Sequence, residues 1–130
     1  MSNAEVERIA IEHVMRLERA AGREPEDVHS HGFAYDVASP PRKIEVKAFG
    51  GSARGAPIPL EERQVQAARD DPDNYYLYVV DNVTSGQQAI AVRMLHGARL
   101  REMLDRAVPR VTYWPTFRTG PYDQIEEGLA

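Results

Sequence analysis

The stretch Asp36-Val37-Ala38-Ser39-Pro40-Pro41-Arg42-Lys43-Ile44-Glu45-Val46-Lys47 decides how this chain is read. Ser39 to Arg42, with two prolines at its centre, has the composition of a turn. The residues after it alternate. Ile44, Val46 and Ala48 point to one face of a strand, and Lys43, Glu45, Lys47 and Phe49 point to the other. With Ala38 paired to Lys43 across the turn, Asp36 falls directly opposite Glu45, and Lys47 lies two residues along on the same face. Two carboxylates facing each other across a sheet repel. A hard divalent cation, Mg²⁺ or Mn²⁺, would remove that repulsion by taking carboxylate oxygens, and the carbonyl of Val46 could add another. A plainer reading stands beside this one. Alternating Lys and Glu on an exposed strand edge also serve solubility alone.

Working outward, Glu5 to about Ala21 is expected to be a helix, because Val6, Ile9, Ala10, Val14 and Leu17 form one apolar stripe. Gly22 is its expected stop. Val28 to Val37 holds two short extended pieces broken at His31-Gly32. Gly50 to Ala56 is a glycine-rich loop carrying Arg54, and a second helix is expected over Leu60 to Arg69. Tyr75-Tyr76-Leu77-Tyr78-Val79-Val80 is a strong strand signal. Gln88 to Met94 reads as the next strand, and Leu95 to Ala107 as a third helix. The order of helix, strands, helix, two strands and helix predicts an α/β fold, with a mixed sheet flanked by helices. Residues 5–108 form the expected domain. Residues 109–130 form a C-terminal extension with aromatics but no clear periodicity. Met1 to Ala4 reads as a cloning remnant, set outside the fold.

Composition narrows the chemistry. There is no cysteine, which excludes a disulfide scaffold, a thiolate metal site and a cysteine nucleophile. The expected compartment is the cytoplasm. No stretch is apolar enough to span a membrane. The net charge of −4 lacks the bulk basic footprint of a nucleic-acid binder, although a local basic channel would suffice for an enzyme. Fourteen arginines stand against two lysines, Lys43 and Lys47, both in the same short strand. Lysine is a compact, tunable point charge, and arginine a broad fork that is always charged.

Gly32-Phe33-Ala34-Tyr35-Asp36-Val37, then Lys43-Ile44-Glu45-Val46-Lys47, then Asp73-Asn74-Tyr75-Tyr76-Leu77-Tyr78-Val79-Val80 follow one another at recognisable spacing. As an ordered set over roughly Glu5 to Met94 they resemble the domain named after the C-terminus of the plant protein NO VEIN. That domain is grouped with the PD-(D/E)XK nuclease-like superfamily. The resemblance implies a restriction-endonuclease-like core of helix, three strands, helix and strand. It also implies a catalytic set in which Asp36 and Glu45 bind metal and Lys47 assists catalysis. Tyr35 stands where the superfamily's label has proline.

Members often add a carboxylate from the first helix. Glu7 lies beside Ile11 and Val14 at the border of the apolar stripe, while Glu12 projects among Arg8, Met15 and Arg16 toward solvent, so Glu7 is the favoured ligand. Gln64 on the second helix is the expected polar neighbour of the site. Arg54 and Arg63 are the expected phosphate contacts, with solvated surface arginines the plainer reading. His29 and His31 share a strand face but lack a third ligand, and read as edge polar residues. Tyr75, Tyr76 and Tyr78 read as core.

The expected function is that of a Mg²⁺-dependent (or Mn²⁺-dependent) nuclease hydrolysing phosphodiester bonds of DNA or RNA. The alternative is a non-catalytic module that keeps the fold and binds nucleic acid or protein. A homodimer and a helicase or defence-system partner are further expectations of the resemblance.

Overall fold

The computed structural model describes residues 1–128. The first helix, α1 (Asn3–Ala20), begins earlier than its apolar stripe requires. Ser2 caps it, its Oγ accepting a hydrogen bond from the Glu5 N–H at 3.2 Å. The residues set aside as a remnant therefore belong to the fold. Gly22, with φ of 86°, ends the helix as expected, and the Arg23 N–H turns back onto the Glu18 carbonyl at 3.0 Å.

Five strands follow in spatial order equal to chain order: β1 (Glu26–Asp27), β2 (Val37–Ser39), β3 (Arg42–Ala48), β4 (Tyr75–Asp81) and β5 (Ala91–His96). Neighbours are antiparallel except β3 and β4, which are parallel. A parallel pair needs a crossover, and the glycine-rich loop with α2 (Glu62–Asp70) supplies it. After β5 come α3 (Gly97–Asp105) and a short α4 (Thr119–Gln124). The result is the expected mixed sheet flanked by helices, consistent with an α+β restriction-endonuclease-like core.

The hairpin register is the expected one. Ala38 pairs with Lys43, Val37 with Ile44 and Ser39 with Arg42. Several boundaries differ from expectation, among them the start of α2, at Glu62 and not Leu60, and the end of α3, at Asp105 and not Ala107. The extended piece before Asp36 shrinks to Glu26–Asp27, because residues 28–36 coil into turns and bends. The fifth strand starts three residues later than Gln88, because Gln87–Ala89 form a 3₁₀ turn. His96, expected in the third helix, ends β5 and stacks on Tyr76 at 4.2 Å.

The alternation of β3 divides the core. Ile44 and Val46 pack with Ala10, Ile11 and Val14 of α1 and with Tyr78 and Val80. The other face joins Tyr75, Leu77 and Val79 to Ala68 of α2 and to Leu100 and Leu104 of α3. Glu45 pairs with Leu77, so it lies on this second face, away from α1.

No described residue after Leu104 is buried. Tyr113, Trp114, Phe117 and Tyr122 are all exposed, Trp114 by 86%. A chain ending at Ala107 is therefore expected to melt within about 2 °C of the full chain, since exposed segments contribute within about 0.5 kcal/mol. Differential scanning calorimetry checks this, and a drop above about 5 °C would show that the extension is packed on the domain.

Candidate functional site

The hairpin brings the expected carboxylates together. Lys43 N–H donates to the Asn74 carbonyl and Phe49 N–H to the Val80 carbonyl, so the odd-numbered residues of β3 turn their backbone groups to β4. The even-numbered ones face β2. The Ile44 carbonyl accepts from Asp36 N–H at 2.8 Å, and Val46 N–H donates to Asp36 Oδ2 at 2.9 Å. The Asp36 carboxylate thus takes the place of a β2 backbone group where the ladder has stopped. The Val46 carbonyl is directed the same way as its N–H, toward the Asp36 side.

Glu45 is only 3% exposed. Burial pushes its carboxyl up to about 8. Asp36 adds to the rise through like-charge repulsion and through a hydrogen bond that the protonated acid donates, and Lys47 opposes it. Lys47 Nζ lies 3.4 Å from Glu45 Oε2 and is partly exposed. The other lysine has a different task, since Lys43 Nζ pairs with Asp71 Oδ2 at 3.0 Å. The two lysines of one strand thus have different partners, Lys47 meeting buried Glu45 and Lys43 meeting Asp71.

The remaining expected residues each have surroundings of their own. Glu7 is exposed near the start of α1. It continues the stripe of Ile11, Val14 and Glu18, but α1 covers the face of β3 opposite Glu45. Its charge and that of Asp36 both reach His29, whose imidazole is raised chiefly by its hydrogen bond to Asp27. Glu12 pairs with Arg8 at 3.0 Å on the solvent side, as its helical phase predicts. Gln64 is buried, but its Oε1 accepts from the Glu61 N–H at 2.9 Å, so it caps α2. Arg63 donates to the Gly32 carbonyl at 2.8 Å and pairs with Glu61 at 3.1 Å, tying α2 to the loop before Asp36. Arg54 is exposed in the glycine-rich loop and makes no salt bridge among the described residues. Buried Asp81 anchors that loop, accepting from Ala53 N–H at 3.0 Å and from Arg93 at 2.9 Å.

The donor set suits one kind of metal. Among the described residues, no group of three or more His, Asp or Glu lies at metal-holding spacing. A closed cage of the zinc type therefore does not fit. Two facing carboxylates and a carbonyl do fit a hard cation that keeps several waters and takes one or two carboxylates.

One polar cluster escaped the sequence reading. Glu18 is fully buried and receives two hydrogen bonds from Arg23, at 2.6 and 2.9 Å, and one from the Tyr78 hydroxyl at 2.9 Å. Arg42 in turn donates to Tyr78 at 2.7 Å. The turn at Gly22 folds Arg23 back onto the helix and so creates the pair. A glutamate on an apolar stripe, followed by a glycine stop and an arginine, is the signal that could have found it.

These features define a mixed α/β domain with a carboxylate pair and a lysine at the centre of its sheet. A family model described as "Protein NO VEIN, C-terminal" matches residues 6–93, and the chain belongs to that family. No curated protein and no solved structure matches it. Among the described residues, no helix is long and apolar enough to cross a membrane.

Proposed function

We propose that this domain is a metal-dependent nuclease of the PD-(D/E)XK nuclease-like superfamily, hydrolysing phosphodiester bonds of DNA or RNA. The observation that supports it most is the buried Glu45, held against Asp36 with only Lys47 to offset the charge. Such a pair raises the free energy of the empty domain, and a fold has little reason to build it except to bind a cation. Asp36, Glu45 and the Val46 carbonyl would hold Mg²⁺ or Mn²⁺. The bound ion would activate a water and neutralise charge growing on the phosphate. Lys47 orients that water or stabilises the transition state through its ammonium. Gln64 acts indirectly by fixing the start of α2, while Glu7 has no part in this reading, because α1 covers the face of β3 opposite Glu45. Arg54 and Arg63 would be the phosphate contacts. Cutting both strands of a duplex would take a second copy, and a helicase or defence-system partner in the cytoplasm would supply strands. The net charge of −4 favours one other reading, a non-catalytic binding module of the same fold.

Thermal unfolding separates the two. At saturating Mn²⁺ the wild type is expected to melt roughly 5–10 °C higher, by mass action on the folded state alone. Asp36→Asn is expected to lose the rise. No rise in the wild type would leave the binding module as the better reading.

A further inference from the structure

The loop leading into Asp36 carries an aromatic ladder that the carboxylate centre does not use. Phe33 and Tyr35 are stacked, with ring centroids 5.4 Å apart and planes at 9°. His31 stands beside Phe33 at 6.1 Å. Tyr35 packs against the second core cluster, which accounts for it. Phe33 does not, and 48% of it is exposed. An exposed phenylalanine alone means little. This one is held in place. The Tyr75 hydroxyl donates to the Ala34 carbonyl at 2.6 Å, Arg63 donates to the Gly32 carbonyl at 2.8 Å, and His31 N–H donates to the Val28 carbonyl at 2.9 Å. Three anchors therefore fix a ring that has no place in either core cluster.

We propose that Phe33, backed by Tyr35, is a stacking platform for an unpaired nucleobase, and that the substrate is a single-stranded nucleic acid. This rests on the reading of Asp36 and Glu45 as a phosphodiesterase centre. Three residues of extended chain span at most about 10 Å, so the platform lies within a few nucleotides of Asp36. Arg63 puts a guanidinium at the base of the same loop, where a phosphate between the stacked base and the centre would pass. The charge balance points the same way. A net charge of −4 gives no net long-range attraction to phosphates, so affinity has to come from local contacts, stacking on the bases among them. Stacking on an aromatic ring needs a free base face, which a duplex does not offer, and it tolerates any sequence.

The test uses a fluorescein-labelled oligodeoxythymidine and a duplex of equal length, titrated by anisotropy in Ca²⁺ to prevent cleavage. The Mn²⁺-dependent melting of the same proteins is measured in parallel. The single strand is expected to bind more tightly than the duplex. Phe33→Ala is expected to weaken it about tenfold, within the range for one stacked base. Phe33→Tyr should restore it, and the Mn²⁺-dependent rise in melting should persist in both variants. With that rise present, equal binding of strand and duplex overturns the proposal, as does wild-type affinity in Phe33→Ala or no binding at all. Absence of the rise in the wild type instead removes the phosphodiesterase reading on which the proposal rests.

Discussion

Glu18→Ala is expected to destabilise the domain by about 3–5 kcal/mol, the usual cost of breaking a buried ion pair from one side. For a chain of this size that corresponds to a fall in melting temperature of roughly 10–20 °C. The side chain is fully buried beneath α1, and its carboxylate satisfies two donors of Arg23 and the hydroxyl of Tyr78. Its removal leaves that hydroxyl with no acceptor, in a site that pushes the phenol up to about 12. It also leaves the Arg23 guanidinium partly desolvated. Burial alone would raise the Glu18 carboxyl, but the hydrogen bonds from Arg23 and Tyr78 outweigh it and hold the group below its ordinary 4.5. Its folded value is thus depressed. The stability it contributes is present above about pH 4.5 and lost as pH falls through the lower folded value. Urea unfolding at pH 7 measures the loss. The double variant Glu18→Ala with Arg23→Ala should recover part of it, since no unpaired charge remains. A loss below about 1 kcal/mol would mean the cluster behaves as an ordinary surface pair.

Glu45 carries the second large effect, with the opposite sign. Its folded value is raised to about 8 from an ordinary 4.5. The protonated carboxyl is the stable form inside the domain, so this group's contribution is full below pH 4.5 and lost as pH rises through about 8. The shift corresponds to an upper limit of roughly 4–5 kcal/mol between those limits. Glu45→Gln cannot ionise. In the absence of divalent cations its advantage over wild type is expected to grow from pH 5 and level off above pH 8. Mn²⁺ should reverse the order at high pH, because only the wild type then binds the ion. Urea unfolding of both proteins from pH 5 to 9, with and without Mn²⁺, tests this. Parallel pH profiles would show that Glu45 ionises inside the domain at no cost.

The sequence revealed the hairpin because a two-proline turn and a strict alternation leave one sensible register, and Ala38 pairs with Lys43 as that pattern requires. The aromatic and β-branched run of β4 was equally readable. What escaped was set by contacts far apart in the chain. Tyr78 meets Glu18 across sixty residues, and no local pattern announces it. Gln64 looked like a site residue because it is polar on a helix near the strand, yet backbone capping claims its oxygen. Glu7 has the right helical phase, but phase does not say over which face of the sheet the helix lies. The loop at residues 28–36 was expected to be extended. Its backbone carbonyls at Gly32 and Ala34 instead found donors in Arg63 and Tyr75, which only the folded chain places beside it.

The parallel seam between β3 and β4 gives the acidic pair a place in time. Asp36 and Glu45 belong to one hairpin, and closing so short a loop is entropically cheap and fast. In the hairpin alone both carboxylates remain hydrated. Glu45 is expected to lose its water when β4 docks beside it, after the chain has traversed the glycine-rich loop and α2. Such long-range pairing is the slow event in folds of this kind. The repulsion within the centre therefore acts on the docking of β4 and not on hairpin formation. The centre is thus expected to assemble early and be enclosed late, with alkalinity retarding the enclosing step and not initiation, which stopped-flow refolding from about pH 5 to 9 would show.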